Sequence, residues 1–166
     1  MKVIGNELPA SAHEHPMKIK YVFLERFLLL FSRQRCLFAQ ILLITSRGKS
    51  SWIIPGGGIE PNESTSEAAL RELYEEAGVK GRIIRELGVF ENSERKHRTS
   101  VFVVVLEEEF DDWDEKRLRG RQRGWYAIEE AWTMLHLSKP FQFSFLERFI
   151  LSSPHCLHLL RRLDHS

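Results

Sequence analysis

The sequence predicts a single α/β domain, and three observations carry that reading. The first is size, because 166 residues, 43% hydrophobic and 28% charged, bury one core well and two poorly. The second is a set of short apolar runs rich in β-branched and aromatic residues, each stopped by a turn signal. The third is a helical pattern set between those runs, from Thr65 to Ala77, with apolar residues three and four positions apart.

Taken in order, residues 1–20 mix His, Pro and charge without a period and read as a flexible arm. His13 and His15 offer too few ligands for a metal and read as solvated tail. Apolar runs at Phe27 to Phe31 and Leu37 to Ile44 flank Ser32 to Cys36, the pattern of two strands joined by a polar turn. Trp52 to Ile54 is a short strand stopped by Pro55 and three glycines. The helix from Thr65 to Ala77 starts at a capping box, Ser64 with Glu67, and ends at Gly78. Ile83 to Phe90 and Ser100 to Leu106 follow as strands, the second carrying Val-Phe-Val-Val-Val-Leu, a run suited to burial on both faces. Glu107 to Glu115 reads as an exposed acidic connection. Trp125 to Ile128 closes the sheet, after which Ile128, Ala131, Trp132 and Leu135 recur at helical spacing. Phe141, Phe145 and Phe149 repeat that spacing beyond Pro140 and read as core. Leu157 to Leu163 shows no pattern that assigns it a role. The expected organisation is an arm at 1–20, one domain at 21–150 and a tail at 151–166.

Composition excludes several classes of partner. The 24 basic and 23 acidic side chains nearly cancel, so the protein as a whole attracts neither a nucleic-acid backbone nor an acidic membrane surface. Cys36 and Cys156 fit a reducing compartment better than a secreted disulfide scaffold, and a bridge between them is possible but unneeded at this size. Tyr21 to Phe31 is interrupted by Glu25 and Arg26, is too short to span a membrane and lacks the order of a signal peptide. A monomer of the cytoplasm or nucleus, acting on a small molecule, is the expectation.

The chemistry concentrates on the first helix. Residues three and four apart share a face, which groups Glu72, Glu75 and Glu76 while Ala69, Leu73 and Ala77 turn toward a core. Each like-charged i,i+4 pair costs about 0.2–0.5 kcal/mol even when exposed. A hard cation among the carboxylates would reverse that cost. Arg71 lies one turn from Glu75 and can orient it, and Glu63 can reach back to the same face. Gly56, Gly57 and Gly58 remove side chains where backbone must approach the helix, and their carbonyls could complete a magnesium shell. Clustered glutamates are commonly just a solvated face. Here, however, seven positions of about 7% background usage coincide, a chance on the order of 10⁻⁸ per starting residue.

Gly57, Glu63 and Arg71-Glu72-Leu73-Tyr74-Glu75-Glu76-Ala77-Gly78-Val79 resemble the Nudix box without a departure. The resemblance implies an α/β/α sandwich on a mixed sheet and hydrolysis of a nucleoside diphosphate linked to another group, or of a related pyrophosphate. It implies Mg2+, with Mn2+ as a substitute, held by Glu72, Glu76 and the Gly56 carbonyl. It also implies a base role for Glu75, with Arg71 and Glu63 completing the catalytic set. The reaction needs a cation to neutralise phosphate charge and activate water, and a carboxylate to steer the water's proton.

Basic residues recur at Arg26, in Ser46-Arg47-Gly48-Lys49, in Arg95-Lys96-His97-Arg98, at Arg121 with Arg123, and at Lys139. Convergence on one pocket would suit a ligand with many phosphates. Trp52 to Gly58, Glu76 to Gly81, Gly88 to Asn92, Glu94 to Thr99, Gly120-Arg121 with Arg123 and Trp125, and Lys139-Pro140 resemble the diphosphoinositol polyphosphate phosphohydrolases. That resemblance implies removal of the β-phosphate of inositol pyrophosphates and cleavage of diadenosine polyphosphates. By position it implies phosphate binding by Arg26, Ser46, Arg47, Arg95, Lys96, His97, Arg121 and Lys139, beside the Gly56, Gly57 and Gly58 backbone. Two departures are Leu24, where the family usually offers a lysine, and Gly124, which replaces an acidic residue. One alternative is a dinucleoside polyphosphate or nucleotide pyrophosphatase, with Phe90 or Tyr126 stacking on a base. The other is a non-catalytic phosphate- or RNA-binding module, against which the intact carboxylate set argues.

Overall fold

The computed structural model describes residues 40–48, 50–154 and 156–157, together with the backbone of 17–25. In chain order its elements are β1 (Met17–Glu25), β2 (Gln40–Thr45), β3 (Trp52–Ile53), α1 (Thr65–Ala77), β4 (Val79–Asn92), β5 (His97–Glu109), α2 (Asp114–Arg119), β6 (Arg123–Ala127), α3 (Ile128–Ser138) and α4 (Pro140–Leu151). Two three-stranded sheets form, in the orders β1-β5-β4 and β3-β2-β6. β1 runs parallel to β5, and the remaining pairs are antiparallel. The expected mixed sheet is present.

Successive side chains on a strand point to opposite faces, and β2 and β5 use both faces. Ile41, Leu43, Val101 and Val103 join the core under α3 and α4, whereas Leu42, Ile44, Phe102 and Val104 join the core under α1. Helices therefore cover the sheet layer on both sides, the α/β/α arrangement. The Val-Phe-Val-Val run is buried throughout, as its composition predicts.

α1 lies close to the sheet because its inner stripe is small: Ala68, Ala69 and Ala77 accompany Leu73, all buried. Its ends are set by sequence. Ser64 accepts from the Glu67 N–H while Glu67 returns a carboxylate to the Ser64 N–H, closing the capping box. Gly78, at φ 62°, takes the left-handed turn that stops the helix.

Several boundaries differ from the sequence reading. β1 starts at Met17, so the expected arm ends earlier; Lys18-Ile19-Lys20-Tyr21 carries the two-residue alternation of a strand. The arm's residues 1–16, the run Phe27 to Phe31, the turn Ser32 to Cys36 and the span Leu157 to Leu163 beyond its first residue lie outside the described residues. The acidic connection is shorter than expected, since β5 extends to Glu109 and α2 begins at Asp114, with Trp113 buried between them. The start of the tail belongs to the domain, because Cys156 is buried in the core beneath α4. No helix of the described residues is long and apolar enough to cross a membrane.

Candidate active site

The loop after β3 and the outer face of α1 build the site. Gly56 N–H donates to Glu76 Oε2 at 2.6 Å, and Gly58 N–H donates to Glu72 Oε1 at 3.1 Å. Between them a Cβ at Gly57 would overlap the Glu72 carboxylate. Glycine at 57 therefore leaves room for the Glu72 carboxylate to lie against the loop, from which a larger residue would push it away.

Arg71 organises the other carboxylates. Its Nε and Nη2 donate to the two oxygens of Glu63 at 2.8 and 2.9 Å, a bidentate pair. Nη1 reaches Glu75 Oε2 at 3.2 Å and lies 3.3 Å from Glu72 Oε1, and Nη2 also donates to the Gly58 carbonyl at 3.0 Å. One guanidinium thus ties the loop, Glu63 and two helix glutamates together.

Glu76 takes a different partner. Its Oε1 lies 3.2 Å from Arg121 Nη2, and Arg121 in turn meets Glu115 Oε2 at 3.1 Å and donates to the Thr45 carbonyl at 3.0 Å. The backbone behind Glu76 is also fixed. Trp113 Nε1–H donates to the Glu76 carbonyl at 3.0 Å, while Arg123 donates to the carbonyls of Ala77 and Gly78, where the helix's unpaired acceptors lie.

The electrostatics follow from these contacts. Burial holds the Glu72 carboxyl above the ordinary glutamate range, the nearby Glu76 charge adds to the effect, and Arg71 opposes it. Burial likewise raises Glu75, against the pull of Arg71. The hydrogen bonds from Arg71 hold Glu63 below the usual range.

Two arginines hold the three carboxylates of the helix face: Arg71 lies beside both Glu72 and Glu75, and Arg121 beside Glu76, while Glu72 and Glu76 also accept from the glycine loop. Among the described residues no three acidic, His or Cys side chains converge as a ready ligand group. Glu72, Glu76 and a loop carbonyl still fit a hard cation: all the donors are oxygens, the glycine cradle leaves no side chain between them, and two like charges share the space.

The residues implied for phosphate binding separate into three groups. Arg47 is exposed after β2, and Arg95 and Lys96 are exposed in the β4–β5 turn. Lys96 has φ 49° and the Arg95 N–H donates to Asn92 Oδ1 at 2.9 Å, so this turn is held in shape. Ser46 is half-buried with an unpaired hydroxyl, and Lys139 is half-buried where α3 meets α4. The first turn of α4 links these regions, since His97 packs edge-on against Phe141 at 5.7 Å and Gln142 accepts from the Ile54 N–H at 2.8 Å. Arg121 and His97 form the third group, both buried, the first against glutamates and the second against an aromatic ring. Arg26 lies outside the described residues.

Phe90 and Tyr126 are not open stacking platforms: Phe90 packs on Phe145 at 4.7 Å and Tyr126 on Trp52 at 5.1 Å. Gly124 is explained here, since a Cβ there would come within 2.7 Å of the Tyr126 ring. Sequence reasoning missed Glu115 and Trp113. Their only signal was an acidic run punctuated by one tryptophan.

A sequence model of the NUDIX domain matches residues 25–149. Diphosphoinositol polyphosphate phosphohydrolase 2 of Rattus norvegicus is 48% identical over 111 residues, covering 67% of this chain and 62% of that protein. Diphosphoinositol polyphosphate phosphohydrolase 3-alpha of Mus musculus is 49% identical over 112 residues, covering 67% and 68%. The chain therefore spans less than two thirds of the rat protein's length. Among solved structures, a NUDIX hydrolase from Nitrosomonas europaea superposes with a TM-score of 0.62 at 16% identity, covering 82% of this chain and 88% of its own. The ORF135 protein of E. coli gives 0.57 at 21% identity, covering 82% and 90%. These two likenesses concern the fold. With the domain match over three quarters of its length and relatives near one-half identity, the chain belongs to the Nudix family.

Proposed function

We propose that this protein is a magnesium-dependent phosphoanhydride hydrolase that cleaves diphosphoinositol polyphosphates to inositol polyphosphate and phosphate, and also accepts diadenosine polyphosphates. The observation that carries the reading is the placement of Glu72 and Glu76 on the Gly56 to Gly58 loop, with Glu75 beside them on Arg71. Glu72, Glu76 and the Gly56 carbonyl would hold Mg2+, which Mn2+ could replace. Such an ion would neutralise phosphate charge and would activate water for attack. Glu75 is partly exposed to solvent and held by Arg71, a placement that suits it to accept a proton from a water molecule at the site. Arg71 keeps Glu75 in place.

Arg47, Arg95, Lys96, Lys139 and the Ser46 hydroxyl supply contacts for several phosphates. The similarity to the rat and mouse phosphohydrolases supports the inositol substrate. The engagement of Phe90 and Tyr126 within the fold argues that a diadenosine polyphosphate is held by its phosphates more than by its bases. A monomeric state and a place in the cytoplasm or nucleus belong to the same reading.

The test is phosphate release from a diphosphoinositol polyphosphate and from a diadenosine polyphosphate, with and without Mg2+. Glu75→Gln and Glu76→Gln serve as controls. Release should require Mg2+, favour the inositol compound and fall roughly 10²-fold or more in each variant. Undiminished release in either variant, or a strong preference for the adenine compound, would overturn the corresponding part of the assignment.

A further inference from the structure

β3 leads into the glycine loop over a short stretch of buried backbone. Its ladder with β2 ends at Ile53, paired with Ile44. Between Ile53 and Gly56 the chain offers one backbone donor, because Pro55 has no N–H. That donor, the Ile54 N–H, meets a side chain 88 residues away: Gln142 Oε1 accepts from it at 2.8 Å. Ile54, Pro55 and Gly56 are all buried, and a buried backbone donor needs an acceptor. Gln142 stands in the first turn of α4, a helix fixed to the core by Phe145, Leu146, Phe149 and Ile150. The carboxamide therefore joins a packed helix to the residue two places before Gly56.

The loop is thus gripped from both helix layers. On the α1 side Gly56 N–H donates to Glu76 and Gly58 N–H to Glu72, the carboxylates read as cation ligands. On the α4 side the grip is Gln142, an uncharged group outside that ligand set. Its orientation is set as well, since a backbone N–H must meet the oxygen of the carboxamide and not its NH2. We infer that Gln142 is a positioning residue for the glycine loop: acting through the Ile54 N–H, it holds Gly56 where its N–H meets Glu76, whether or not a cation draws on that carboxylate. The consequence for a cation rests on the reading of Glu76 and the Gly56 carbonyl as ligands. The hold on the loop does not.

The experiment compares the wild type with Gln142→Leu, which fills similar space without an acceptor, and Gln142→Glu, which keeps one. Amide hydrogen exchange at Gly56 is followed by NMR without any cation. Mn2+ affinity, kcat, and KM for a diphosphoinositol polyphosphate are measured beside it. In the Leu variant Gly56 exchange should speed up roughly tenfold, the order that one neutral hydrogen bond contributes. Mn2+ affinity should weaken roughly tenfold, the lower end of what the supports of a metal's ligands contribute, and kcat should fall with KM little changed. The Glu variant should restore the protection of Gly56, which a role confined to the packing of α4 would not predict. If Gln142→Leu does not fold, Gln142→Asn, one methylene shorter, should show the same direction. Wild-type exchange at Gly56 in the Leu variant overturns the inference, as does an equal loss of protection in the Glu variant. So does a raised KM at unchanged kcat and Mn2+ affinity, which would make Gln142 a substrate contact. Mn2+ binding that Glu76→Gln leaves intact overturns instead the cation reading, and the exchange measurement, made without cation, is decided separately.

Discussion

Arg71 and Arg121 hold glutamates of the same helix from opposite settings. Arg71 is 23% exposed, and its partners Glu63, Glu72 and Glu75 all lie within eight residues of it in the chain. Arg121 is 3% exposed and reaches Glu76 from 45 residues away. The carboxylates Glu63 and Glu72 are about as buried as Glu76 and Glu115, so the networks differ in their guanidinia. Arg71 is local and partly open to water, which can replace part of what a lost contact supplied. Arg121 is remote and dry, so its loss leaves buried charge without a partner. One end of the helix face can therefore adjust to a ligand while the other is fixed to the fold.

The comparison breaks most sharply under alanine substitution. Arg121→Ala should cost about 3–5 kcal/mol of stability in denaturant unfolding, because Glu76 and Glu115 lose a buried partner. Arg71→Ala should cost about 1 kcal/mol and show itself chiefly in lowered kcat. Similar stability losses in both variants would remove the distinction. Gly57→Ala tests the loop between the two networks. Its Cβ must displace the Glu72 carboxylate, and turnover should fall by roughly 10²-fold, the scale of an ångström-sized misplacement. Unaltered turnover would show that the loop does not depend on that contact.

Acid pH should separate the settings further. Arg71 depresses the Glu63 carboxyl, so the folded state binds that proton less readily than the unfolded chain. The stabilisation is therefore fully present above the ordinary glutamate value and disappears as pH falls through the depressed folded value. Melting curves of the wild type and Glu63→Gln should converge on acidification; a constant gap would contradict the assignment. The smallest effect is expected at the rim. Arg95→Ala should change stability by less than about 0.5 kcal/mol while raising KM for highly phosphorylated substrates and sparing kcat. A fall in kcat at unchanged KM would give Arg95 a different role.

The same contrast explains what could be read in the sequence. α1 was legible because its cap, its stripe and its carboxylates repeat at fixed short spacings, and the Arg71 network follows from the same spacing. The two-faced burial of β5 was legible from Val-Phe-Val-Val-Val. Arg121 was legible as a charge but not as a buried one, since depth depends on α2 and β2, far away in the chain. α2 itself was hidden in an acidic run, where Glu107 to Glu109 finish a strand and Asp114 begins a helix. Gly124 could be recognised as unusual, and only the Tyr126 ring gives the reason. The start of β1 was missed because its alternation begins beside an irregular stretch and pairs with a strand about eighty residues away.

The central claim is that Glu72 and Glu76 jointly hold a divalent cation against the Gly56 to Gly58 loop. Crystals grown with Mn2+ and a polyphosphate ligand, measured near the manganese absorption edge, test it directly. The account predicts an anomalous peak touching carboxylate oxygens of both glutamates. A ligand clearly bound in the site, with no such peak beside that helix, would contradict it.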